Sequence, residues 1–400
     1  MIKLKQNSFI QKLFLIYVIS LTLGNGVYFY MSLIRLDLIM ILPTFIITSY
    51  FLINKKLNFS NLLIFILIIS YLANVSLYIF VIHSSTARLD LYYMLSIYNL
   101  MVLLYLLISN KKLHKQNILF IYKSLYFVLI FILISIIFEI ITGYRFTANN
   151  DDGIKSLLIS SFFDNPNNLA STSLMIFLAT YFLARKIASK KSILILVFIE
   201  AIILIITMSR ATLFLFIIVL LITQLTNILL IFLLGLIFLY VSSNFENILL
   251  NLIYSNIELI SINANRLWLA IYGLDSDKSV SYRADIYNYF FHHLNQLNFI
   301  GYGPRNYIDF FNSNDLASIN PHSFLIENFL AFGLIGGILF LVIMLLLIVK
   351  SIVQKKYDLL ILTTVFLLVT FVPSSTLRLE LMWLPLFLFY FIKYKKGKII

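Results

Sequence analysis

Runs of about twenty apolar residues recur along this chain, and each is long enough to cross a hydrocarbon core roughly 30 Å thick at 1.5 Å of rise per residue. Segmenting by that length predicts twelve spans, near residues 8–28, 36–53, 61–82, 91–109, 119–141, 168–184, 192–208, 211–224, 227–243, 323–349, 357–373 and 379–394. Composition agrees: 61% of the 400 residues are hydrophobic and 12% charged, against about 25% charged in an average soluble domain. The expected fold is therefore all-α, with residues 1–400 forming one polytopic integral membrane domain. The chain has no cysteine, which excludes a disulfide framework, a thiolate nucleophile and a cysteine-based metal site. Lys3, Lys5 and Lys12 flank the first apolar stretch. No small-residue cleavage site follows it, so this stretch reads as an uncleaved first span.

The formal net charge is +13. Its lysines and arginines lie in short clusters between apolar runs rather than along one polar face, which argues for topology rather than nucleic-acid binding. With a cytoplasmic N-terminus, 20 of the 30 basic residues fall on inside segments, nearly all of them in lysine clusters. Such a bias predicts that both termini are cytoplasmic. The turn at 224–227 has no basic residue, which leaves its two flanking spans open to a re-entrant reading; either way the chain returns outside. Two outer loops are longer than the rest. One covers residues 142–167, and the other, residues 244–322, is expected to be an ordered extracytoplasmic subdomain between spans nine and ten. Its segment 282–297 spaces Ile286, Phe290 and Leu294 four apart, as one face of a helix requires.

The ten outer basic residues are Arg35, Arg88, Arg145, Lys155, Arg210, Arg266, Lys278, Arg283, Arg305 and Arg378. Eight are arginines, whose planar donor forks match phosphate or carboxylate oxygens, and this asymmetry points to an anion. Arg210, in Thr207-Met208-Ser209-Arg210-Ala211, sits at the edge of hydrocarbon, where a charge is costly and marks a functional candidate. Its bland alternative is snorkelling to the interface. Arg283 lies in Ser281-Tyr282-Arg283-Ala284-Asp285-Ile286-Tyr287, where Tyr282, Asp285 and Tyr287 can orient it. His322, in Asn320-Pro321-His322-Ser323, stands where the long loop re-enters the membrane, and a histidine there suits a general base.

Other signals carry less. Asp275-Ser276-Asp277 has the spacing of a divalent-metal motif for nucleotide-sugar donors, but it falls on the outer side. His292 and His293 point about 100° apart on a helix and lack a third ligand. Gly301-Tyr302-Gly303 lacks the third glycine of a dinucleotide site. Glu200 and Glu327 read as carboxylates that hydrogen-bond neighbouring helices or balance Arg210, ahead of a proton-relay reading. A carrier or flippase is the rival class, and the internal repeat expected of it is missing from the sequence.

Taken in order, Phe163-Asp164-Asn165-Pro166-Asn167-Asn168, the Ser209-Arg210 turn, Arg283, Gly301-Tyr302-Gly303-Pro304 and Pro321-His322-Ser323 running into Phe332-Gly333 resemble the O-antigen ligase and Wzy-type polysaccharide polymerase family over roughly residues 160–345. The sequence departs from that pattern at Ser323, where the family often has asparagine after the histidine. The resemblance implies a glycosyltransferase with a GT-C-like membrane fold in the bacterial cytoplasmic membrane. It would move a glycan from undecaprenyl diphosphate to an acceptor hydroxyl at the outer face, in O-antigen (lipopolysaccharide) or capsule synthesis. Residues matching Arg210 and Arg283 would hold the diphosphate, and the match to His322 would activate the acceptor. Asn165, Asn168, Tyr282, Tyr287 and Arg145 are the expected supporting residues. No cofactor or metal is implied. The expected partners are the undecaprenyl diphosphate-linked oligosaccharide, membrane lipid and, as a candidate, a chain-length regulator protein. Polymerase is the first reading and ligase the second.

Overall fold

The computed structural model describes residues 2–24, 36–53, 59–80, 87–110, 112–144, 146, 159–163, 165–207, 209–224, 251, 254, 278–303, 308–311, 321, 323–373, 375–392, 394–395 and 398–399. These residues form a helical protein: α1 (Ile2–Gly24), α2 (Leu36–Ile53), α3 (Phe59–Phe80), α4 (Ala87–Ile108), α5 (His114–Thr142), α6 (Pro166–Ile187), α7 (Lys190–Thr207), α8 (Arg210–Gln224), α9 (Lys278–His292), α10 (Ile308–Phe311), α11 (Phe324–Val353), α12 (Tyr357–Val369) and α13 (Leu384–Phe391). A two-residue antiparallel strand pair, Tyr394–Lys395 with Lys398–Ile399, is the only β structure among them. The expected ninth span, 227–243, lies outside the described residues.

Four of these helices are long and apolar enough to cross a membrane, over Gln6–Gly24, Asp90–Ile108, His114–Thr142 and Phe324–Val353. Shorter apolar helices accompany them, including Ile39–Ile53, Ile64–Phe80, Arg210–Thr223 and Tyr357–Val369. Two helices lie enclosed. Every residue of α6 from Asn168 to Ala184 is buried, with α5, α7, α8, α12 and α13 around it. Its Ser171, Thr172, Ser173 and Thr180 make it more polar than a lipid-facing helix, and its small residues let neighbouring backbones come close. Helix α4 is the second, packed on α1, α2, α3, α5 and α13. Between them sits α13, too short to span and buried along all eight residues. Lipid-type exposure falls on one side of the outer helices, as at Ile46, Phe198, Phe214 and Leu345.

The two ends of the bundle differ in chemistry. At one, Lys186 pairs with Asp358, Lys350 lies 4.1 Å from the Tyr390 ring centroid, and Lys356 Nζ donates to the Ile392 carbonyl at 3.4 Å. Burial, with Lys350 and Lys186 nearby, pulls the Lys356 ammonium down to about 8. These are lysines that the sequence places inside. Gathered at the other end are Arg283, Arg378 and the loop segment 298–303.

Candidate functional site

The site is built on a broken helix. Within α11, Gly333 adopts φ 67°, which divides a short half-helix, Phe324–Phe332, from a long one. A break frees carbonyls and amides that hydrocarbon cannot satisfy. Here the loop satisfies them: Tyr302 N donates to Leu330 O at 2.7 Å and Gly303 N to Ala331 O at 3.0 Å, while Leu334 N donates to Asn298 O at 3.1 Å and Ile335 N to Phe299 O at 3.2 Å. Residues 298–303 therefore act as a strap across the break. Helix α3 holds the strap from behind with residues on one face. Tyr78 OH donates to Gly301 O, Asn74 Nδ2 to Ile300 O at 2.9 Å, and Tyr71 OH to Asn328 Oδ1. Tyr71 also stacks on Phe332 with centroids 4.1 Å apart.

Two glycines are required by this crossing. A Cβ on Gly301 would lie 2.6 Å from Ala331 O, and one on Gly333 would lie 2.6 Å from Asn298 O; both residues have positive φ. Gly301→Ala and Gly333→Ala are each expected to destabilise the fold by about 2 kcal/mol or more, since backbone strain alone costs about 1–3 kcal/mol. Thermal unfolding of the purified variants checks this, and an unchanged midpoint would mean that the strap yields without cost.

Helix α9 packs against α10 and α11. In α9, Ile286 and Phe290 are buried, as their spacing predicts. The helix ends at His292, however, so Leu294 falls in a 3-10 turn (Leu294–Gln296) and is exposed, contrary to the expected stripe. Phe290 meets Phe310 and, at 6.5 Å, Phe329 of α11. His293 stacks on Tyr289 and its Nδ1 lies 2.8 Å from Tyr289 O, a structural role. Among the described residues no group of three His, Asp or Glu side chains gathers to hold a metal.

Arg283 projects from α9 to the turn after α12, where its Nη1 donates to Phe371 O at 3.2 Å. Tyr287, one helical turn on, packs edge-on against the Phe371 ring at 6.4 Å. Burial pushes its phenol up, with Arg283 pulling the other way. The same turn is fastened to α11 by a buried carboxylate: Glu327 Oε1 accepts from Ser375 Oγ at 2.5 Å and Oε2 from Thr376 N at 3.3 Å. Trp383 Nε1 donates to Thr376 O at 3.4 Å from the far side. Glu327 lies in the first turn of α11, whose N-cap is Ser323, with Oγ accepting from Ile326 N. Serine and asparagine cap helices about equally well, so Ser323 supplies the helix start here.

The remaining expected residues are placed as follows. Arg210 is exposed at the first position of α8, which packs on α6, α7 and α12. Asn165 caps α6, its side chain accepting from Asn168 N at 2.9 Å, and Asn168 is buried. Ser173 Oγ donates to Glu200 at 3.1 Å, so Glu200 joins α7 to α6 as a helix-to-helix hydrogen bond. His322, Arg145, Asp164, Arg305, the Asp275-Ser276-Asp277 segment and the side chain of Tyr282 lie outside the described residues. Sequence reading missed the clamp of Glu327 on Ser375 and Thr376. The available signal was Ser375-Thr376 before an outer arginine, Arg378, with no other reason to be there.

A search of curated proteins finds no match to this chain. The strap, the broken helix through Leu341, α9 and α8 all fall within one matched region. Residues 192–341 match the family model described as O-antigen ligase, so over that stretch the chain is similar to the O-antigen ligase and Wzy-type family.

Proposed function

We propose that the protein is a Wzy-type polymerase, transferring a growing glycan from undecaprenyl diphosphate to the acceptor sugar hydroxyl of another lipid-linked repeat unit. The reaction takes place at the outer face of the cytoplasmic membrane, with both termini cytoplasmic. The observation that carries this reading is the tie of Arg283 to the 371–378 turn, which Glu327 fastens to α11 five residues after His322. In the reaction His322 takes the proton of the acceptor hydroxyl. That oxygen then bonds to the anomeric carbon as the bond from that carbon to the diphosphate oxygen breaks, and the electron pair leaves on the diphosphate. Arg210 and Arg283 stabilise the charge that develops there. Transfer of finished glycan to a different acceptor, as a ligase does, uses the same donor chemistry.

Purified protein in proteoliposomes, given lipid-linked repeat units together with a separate lipid A core acceptor, distinguishes these readings. The expected product is a ladder of lengthened lipid-linked glycan. Glycan transferred only to the second acceptor would make the protein a ligase, and no transfer to either would remove both.

A further inference from the structure

Arg378 has no part in the reading above, yet it lies on the same turn that Arg283 reaches. Arg283 donates to the Phe371 carbonyl of this turn at 3.2 Å, and Arg378 stands seven residues further along it. The turn is fixed at three points. Ser375 Oγ and Thr376 N bind the two oxygens of Glu327, which is only 3% exposed, and the Trp383 indole holds Thr376 O. Trp383 itself packs edge-on against Phe324, the first residue of α11, at 5.3 Å. Three side chains from different elements thus fix a segment whose only charged residue is an arginine, and that arginine is partly exposed. Its guanidinium interacts electrostatically with Glu327, while the Glu327 oxygens are engaged by the turn. An arginine carried on a segment held this way starts from a fixed backbone and offers a fork to two oxygens at once. A snorkelling arginine would need no such clamp.

We propose that Arg378 is a third phosphate-binding residue of the donor site, and that Glu327 is the positioning residue that presents it. The inference rests on the donor reading above and adds to it a contact to the second phosphate of the diphosphate. The ligand class is an isoprenoid diphosphate, and a monophosphate is expected to bind less well because it cannot bridge Arg283 and Arg378.

The test is equilibrium binding of farnesyl diphosphate and farnesyl monophosphate to the purified full-length protein in detergent. Wild type is expected to prefer the diphosphate. Arg378→Ala should weaken diphosphate binding about tenfold or more, as loss of a charged hydrogen bond does, and narrow the preference over monophosphate, with Arg378→Lys restoring part of it. Glu327→Gln should narrow the same preference with Arg378 still present, an effect that general loosening of the fold would not produce. Wild-type preference in Arg378→Ala, with Arg283→Ala impaired, would overturn this proposal and leave the donor reading standing. Wild-type binding in both alanine variants would overturn both. If Arg378→Ala fails to fold, Arg378→Gln carries the test, and an unchanged preference for the diphosphate in it would overturn the proposal.

Discussion

Replacing His322 with alanine is expected to lower glycan transfer by about 10²–10⁴-fold, the contribution of a positioned general base. A sugar hydroxyl is a poor nucleophile until its proton has somewhere to go, and a histidine accepts one near neutral pH. The position is favourable. His322 precedes the N-cap Ser323, and Glu327 Oε1, one turn into the same helix, takes the Ser375 hydroxyl at 2.5 Å. In sequence His322 thus directly precedes a helix start that Glu327 ties to the turn after α12. Chain-length ladders in a complementation assay, read against equal protein levels, measure the loss. A His322→Ala variant with a wild-type ladder would remove the base from the mechanism.

The second large effect is at the arginines. Arg283→Ala is expected to cost about 10²–10³-fold in turnover, comparable with removing one preorganised donor from a site where charge develops. Arg283→Lys should recover little, because a lysine is a point charge and cannot hold the Phe371 carbonyl while also facing two phosphate oxygens. Arg210→Ala is expected to fall in the same range. Turnover by Arg283→Lys equal to wild type would mean that charge alone, and not the fork, is what the site uses.

Much of this arrangement can be read from the chain itself, and the rest could not have been. The lysine and arginine distribution separates two ends that the structure also separates, with Lys186, Lys350 and Lys356 at one and Arg283 and Arg378 at the other. Periodicity alone finds Ile286 and Phe290 but carries one step too far, to Leu294, because the helix stops at His292. The strap was legible only as two separate glycine motifs. What makes them one feature is pairing between residues 298–303 and 330–335, a contact that neither local propensity nor hydropathy encodes. Hydropathy is also blind to enclosure. Helix α6 is surrounded by protein, so it can carry serine and threonine that lipid would penalise, and among the described residues four helices meet the length and apolarity of a span. The Glu327 clamp was hidden for the same reason as the strap. A carboxylate in an apolar run announces a partner, but Ser375 and Thr376 stand nearly fifty residues away.

Release of undecaprenyl diphosphate during glycan growth is the quantity closest to the proposed chemistry. Proteoliposomes holding the full-length wild-type protein and lipid-linked repeat units should free one carrier diphosphate for each new linkage, and Arg283→Ala proteoliposomes should free almost none. Glycan growth without carrier release, or release undiminished in Arg283→Ala, would contradict a diphosphate donor site at the junction of α9, α11 and the turn after α12.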